Sequence, residues 1–321
     1  MIRPLLALSC AMFAASAFAQ NAQLVYFGTY TNPESGSEGV YVSHFNAVTG
    51  DLSAPVVAAK TISPSFLALH PSGKFLYTVG EEPAEGSPKS LIGAYQIVRP
   101  SGALEPLNGV SAGGAGPCHI SVEKDGALAM TAQYSAGTVT SYPVRKDGRL
   151  GEAVSNIQHE GNGPIEGRQE TPHAHSIKPS PDNRFALACD LGADKVFIYK
   201  MAPATGSLTP HGEACLPGGS GPRHIAFHPN GLFVFVNNEI SMTANTFAWD
   251  ADKGALKLLG IVSTLPEGER AVEGLSTAEI VVHHNGRFVY VSNRTHDTIA
   301  LFGCDAHTGN LTLMENVPAE G

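Results

Sequence analysis

Internal repetition constrains this chain more than any other feature. A β-rich run, a tight turn and a second β-rich run first occur together from Ser65 to Val79, turning at Pro71-Ser-Gly73. The unit returns around Asp125-Gly126, Asp182-Asn183, Asn230-Gly231 and Asn285-Gly286. Its anchors Gly73, Gly126, Asn183, Gly231 and Gly286 therefore lie 53, 57, 48 and 55 residues apart. Pro near the turn presets φ, and Ser, Asp or Asn beside Gly supplies a β-turn joining antiparallel strands. A second signature, Gly-x-Leu, interleaves with the first at Gly50, Gly102, Gly148, Gly206, Gly254 and Gly309. Each period of about 50 residues thus holds two hairpins, or four strands A to D, which is the content of a β-propeller blade. With 35 Gly, 22 Pro and only 15% charged residues, the composition suits many short strands better than long helices.

The count leaves a gap. Six C–D hairpins accompany only five A–B hairpins, and the first unit begins with a B strand, Leu24 to Thr29. Propellers commonly close by letting a C-terminal strand complete the N-terminal blade. The expectation is an all-β chain with one propeller domain over residues 20–321, C-terminally incomplete. It would be a seven-bladed β-propeller lacking its last blade and closing strand, with about six blades present.

Residues 1–19 belong to another problem. Arg3, an apolar run from Leu5 to Phe18 and an Ala17-Phe-Ala19 end form a secretory signal pattern, cut after Ala19. The mature protein is therefore expected outside the cytoplasm, periplasmic or extracellular. Cys118, Cys189, Cys215 and Cys304 are scattered without a C-x-x-C pair, which reads as free thiols. A formal charge of −9 and the lack of a Lys/Arg run argue against nucleic acid or an anionic membrane as partner. No interior run is apolar enough to span a bilayer. A monomer or weak homodimer is expected.

Equivalent positions in successive blades occupy equivalent places, so the repeat also locates a site. A strands line the channel, and the start of A lies at the same end as the end of B. The A-start residues are Ser65, Cys118, His175, Arg223 and Ala278; the B-end residues are Glu81, Tyr134, Leu191, Glu239 and Arg294. His175, Arg223, Glu239 and Arg294 should converge on one mouth, where they can transfer protons and hold an anion or oxyanion. The insertion from Gly161 to Thr171, with Arg168 and Gln169, should overhang that mouth beside His175. His173 and His175 form an H-x-H pair whose side chains would share a strand face, and His173 joins Arg168 as a candidate substrate contact.

Several other features read as structural. His70, His228 and His283 sit three residues before the anchors, and His119 and His224 sit seven before. No fixed spacing supplies a third zinc ligand, so neither a metal nor another cofactor is expected. Gly113-Gly-Ala-Gly116 and Gly218-Gly-Ser-Gly221 precede A strands and read as linkers. No G-x-S-x-G elbow supports a serine hydrolase.

Pro172-His-Ala-His-Ser176, Gly221-Pro-Arg-His224, Asn237-Asn-Glu239 and Ser292-Asn-Arg294 together resemble the bacterial propeller lactonases of the 6-phosphogluconolactonase type, in the superfamily of the carboxy-muconate lactonizing enzymes. The resemblance runs from Leu24 to Gly321. It implies a seven-bladed propeller with catalytic roles for His175 and Glu239 and substrate-binding arginines Arg223 and Arg294. The expected activity is metal-independent hydrolysis of a sugar lactone, a small-molecule substrate. A muconate-type cycloisomerase and a non-catalytic binding scaffold are the alternatives.

Overall fold

The hairpin turns come directly from the anchors. Gly73, Gly126, Asn183, Gly231 and Gly286 all adopt positive φ, between 62° and 79°, a region that costs most residues but not Gly and is tolerated by Asn. The computed structural model describes residues 22–83 and 90–319, so the signal pattern and its cleavage point lie outside the described residues.

Among the described residues, twenty-three strands form six antiparallel sheets in sequence order. Blade 1 has three strands: β1 (Ala22–Phe27), β2 (Gly39–Asn46) and β3 (Val56–Lys60). Blade 2 is β4 (Leu67–Leu69), β5 (Phe75–Val79), β6 (Leu91–Val98) and β7 (Ala103–Ser111). Blade 3 is β8 (Pro117–Val122), β9 (Leu128–Gln133), β10 (Thr138–Pro143) and β11 (Ser155–Gln158). Blade 4 is β12 (Ala174–Pro179), β13 (Phe185–Asp190), β14 (Lys195–Ala202) and β15 (Ser207–Cys215). Blade 5 is β16 (Pro222–Phe227), β17 (Phe233–Asn238), β18 (Thr243–Asp250) and β19 (Ala255–Ser263). Blade 6 is β20 (Ser276–Val282), β21 (Phe288–Arg294), β22 (Thr298–Cys304) and β23 (Leu311–Pro318). The architecture is that of a β-propeller, and blade 1 begins with its B strand as the repeat count predicts.

The core lies between blades, which is why both faces of a strand are apolar. Val234 and Val236 pack with Leu187 and Ile198 of blade 4, while Phe233 and Phe235 pack with Val289 and Val291 of blade 6. Five such layers join successive blades, and among the described residues none joins blade 6 to blade 1. The histidines three before the anchors are staples: His70 Nε2 meets the Gly126 carbonyl at 3.0 Å and His228 Nε2 the Gly286 carbonyl at 2.8 Å, each in the next blade.

The Gly-x-Leu turns also press on the preceding blade. Gly254 has φ +62°, and a Cβ there would lie 2.2 Å from the Phe185 ring. Gly254→Ala is expected to cost about 2–4 kcal/mol in urea denaturation, combining backbone strain with overpacking. Gly231→Ala, where a Cβ meets nothing within 4 Å, should cost only about 1 kcal/mol.

One feature of the innermost strands was not visible in the sequence. The ladder slips at Cys118 in β8, at His175 in β12 and at Arg223 in β16, each an extra residue without a partner on the neighbouring strand. A similar irregularity covers Ala278 and Glu279 in β20. These are β-bulges, which re-aim side chains locally, and each falls at the channel mouth.

Candidate active site

A cavity of about 400 Å³ occupies that mouth. Ser65, Cys118, His175 and Arg223 reach it from the A-start positions, and Glu81, Tyr134, Glu239 and Arg294 from the B-end positions. Leu191 is buried away from it, with its carbonyl accepting a bond from Gln169. Four candidates separated by up to 119 residues of chain are thereby brought together.

Glu239 is the centre of the cluster. Its backbone is fixed by a 2.7 Å bond from its N–H to the Gly221 carbonyl. Its Oε1 receives Arg168 at 2.5 Å, and its Oε2 receives Arg223 Nε at 2.9 Å and Arg294 at 3.2 Å. His175 Nε2 stands 3.7 Å from the same Oε2. Three guanidinium groups against one carboxylate leave this wall with surplus positive charge, directed at whatever enters the cavity. Arg223 is further held by donating to the Ala278 carbonyl.

The histidines behind this wall are neutral. Burial, and then the Arg223 charge, hold His175 well below its ordinary value. Burial acts first on His119 and His224 as well, pushing both well down. The three rings contact one another edge to face, with His119–His224 and His175–His224 centroids both 5.4 Å apart. A neutral imidazole beside a carboxylate can accept a proton, and its protonated form can return one. Cys118 Sγ lies 3.8 Å from His175 Nδ1, but burial and then Glu81 push its thiol upward, away from thiolate chemistry.

The insertion touches the site only through Arg168, which reaches Glu239 although no residue from 161 to 171 lines the cavity. Gln169 is fully buried and anchors the insertion by donating to the Leu191 carbonyl at 2.7 Å, which leaves Arg168 extended towards Glu239. His173 behaves differently from expectation. It precedes β12, its ring lies flat on Tyr134 at 4.4 Å, and its Nδ1 meets the Tyr134 carbonyl at 2.9 Å. It supports a wall residue and does not line the cavity, because the bulge at His175 breaks the simple alternation on which an H-x-H pair depends. Conversely, His224 has more than a structural position: it lines the cavity, with Nδ1 3.0 Å from Glu279. Tyr30 also lines it. It follows Thr29 at the end of the first B strand, so the same counting that located Glu239 could have found it.

The Gly218–Gly221 linker has no amides to spare for a phosphate. Asp194 accepts both the Gly219 and Gly221 N–H groups at 2.7 Å. Among the described residues, no three His, Cys, Asp or Glu side chains are grouped so as to hold a metal. Cys118, Cys189, Cys215 and Cys304 are unpaired in the structure.

Comparison with known proteins identifies the family. A family model described as "Lactonase, 7-bladed beta-propeller" matches residues 24–321. A 6-phosphogluconolactonase of Bacillus subtilis is 37% identical over 296 residues, covering 92% of this chain and 82% of the relative. The solved structure of a periplasmic gluconolactonase from Pseudomonas aeruginosa superposes with a TM-score of 0.85 at 32% identity, covering 94% of this chain and 84% of the other. A solved protein from Lactobacillus plantarum gives 0.84 at 33% identity, with 92% and 82% covered.

Proposed function

Because this chain belongs to the family of seven-bladed β-propeller lactonases, we propose that it hydrolyses a sugar lactone at the Glu239 mouth of the channel. The observation that carries the reading is the convergence of Arg168, Arg223, Arg294 and His175 on that single carboxylate. The relatives named above as 6-phosphogluconolactonase and gluconolactonase support the substrate class.

The chemistry needs no group beyond these side chains. Glu239 or His175 takes a proton from water as its oxygen attacks the ring carbonyl. The tetrahedral oxyanion is met by Arg223 and Arg294, which can also hold a carboxylate or phosphate on the substrate. When the bond from carbonyl carbon to ring oxygen breaks, the proton taken from water, held by Glu239 or passed to it or from it across the 3.7 Å to His175, is delivered to that oxygen, giving a hydroxy acid. Arg168 reaches the same carboxylate from the insertion and helps to hold it in place.

Export completes the reading: we place the mature chain outside the cytoplasm, starting at Gln20, in keeping with the periplasmic Pseudomonas aeruginosa relative. Mass spectrometry of the secreted or periplasmic protein should find that N-terminus and no retained leader. Function is tested by a pH-indicator screen of aldonolactones with and without phosphate, alongside muconates. Acid release from an aldonolactone is the expected result, and a protein inert on every lactone would overturn the assignment.

A further inference from the structure

The proton transfers above use neither Glu279, which pairs with His224, nor Glu81, the third acid that lines the cavity. Glu81 lies two residues beyond β5, its N–H bonded to the Ser63 carbonyl at 3.1 Å. Its Oε2 accepts the Tyr30 hydroxyl at 2.8 Å and the Ser65 hydroxyl as well. Tyr30 comes from blade 1 and Ser65 from the start of blade 2, so the carboxylate is fixed from two sides. Burial, and then its bond to Glu81, push the Tyr30 phenol upward, which keeps it a donor. Among the described residues nothing is bonded to Oε1, and no cationic side chain pairs with Glu81. Glu239, lining the same cavity, is met by three guanidinium groups.

The cavity therefore has two chemically opposite ends. An acceptor-only carboxylate without a cation repels anions and takes hydrogen bonds from hydroxyl groups. We propose that Glu81, oriented by Tyr30 and Ser65, is a hydroxyl-recognition subsite that accepts bonds from the ring or tail hydroxyls of the lactone. The carbonyl and any anionic substituent then face the arginine end. This inference rests on the lactonase reading and adds to it the orientation of the substrate and the need for a polyhydroxylated one.

The test compares glucono-δ-lactone with δ-valerolactone, which has the same ring and no hydroxyl groups. Glu81→Gln keeps the shape and removes the charge. It should raise KM for glucono-δ-lactone roughly tenfold to a hundredfold, the scale of a charged hydrogen bond, and leave kcat/KM for δ-valerolactone within about twofold. Tyr30→Phe should shift the same ratio in the same direction by less. Equal losses on both substrates, or no change on either, would overturn the subsite. Calorimetric binding of gluconate to the wild type and both variants decides the matter without turnover: weaker or lost binding in Glu81→Gln supports the subsite, and equal binding, or none to the wild type, removes it. Gluconate binding that depends on Glu81, in a wild type that hydrolyses no lactone, overturns the lactonase reading alone.

Discussion

Glu239→Gln is expected to lower kcat for an aldonolactone by about a thousandfold, the mid-range for loss of a positioned acid or base. The substitution keeps the size of the side chain but removes the charge that Arg168, Arg223 and Arg294 share. Those arginines are then free to hold the substrate, so KM for an anionic lactone should stay level or fall. A loss confined to kcat identifies an interaction made in the transition state. Steady-state kinetics on the wild type and variant, with a melting curve to confirm folding, make the measurement. A kcat within threefold of wild type would remove Glu239 from the chemistry.

Acid should unfold this protein through its channel. His119, His175 and His224 are buried and held neutral in the folded state, whereas the unfolded chain binds their protons near the ordinary pKa of about 6.5. The unfolded state thus carries more protons below that pH, and stability that is full above it falls as the solution is acidified. Each histidine contributes a slope of about 1.4 kcal/mol per pH unit while its folded form stays neutral. The groups facing them act in both directions: Arg223 and Lys178 oppose protonation, whereas Glu279, beside His224 and acting on His119, and Glu239, 3.7 Å from His175, favour it, so burial is the dominant cause. Urea denaturation between pH 7 and pH 5 should show the decline. His119→Asn, whose side-chain oxygen can replace Nδ1 as acceptor for the Ile177 N–H, should remove about a third of the histidine slope. An unchanged slope in that variant would show that the histidines do not govern it.

Much of this was legible in the chain because a propeller converts repetition into geometry. Counting from the turn anchors placed His175, Arg223, Glu239 and Arg294 together, and the structure brings all four to one cavity. What the counting missed has a common cause. Polarity patterns assume strict alternation, and the bulges break it, so two consecutive residues such as Arg223 and His224 both reach the cavity while His173 does not. Glu81 and Ser65 stood at the right positions, but the Tyr30 hydroxyl that ties them into one acceptor comes from another blade, and no local pattern shows such a bond. The reach of Arg168 was readable only as an insertion of unusual length; its contact with Glu239 depends on the buried Gln169 anchor.

The unpaired residue in β8, β12 and β16 has an evolutionary corollary. Cys118, His175 and Arg223 belong to no ladder pair, so exchanging one leaves the strand ladders in place and removes only side-chain bonds such as those from Cys118 and Arg223 to the next blade. Chemistry and the ladders are thereby written in separate letters: new side chains can be tried around the rim, blade by blade, without re-registering a strand.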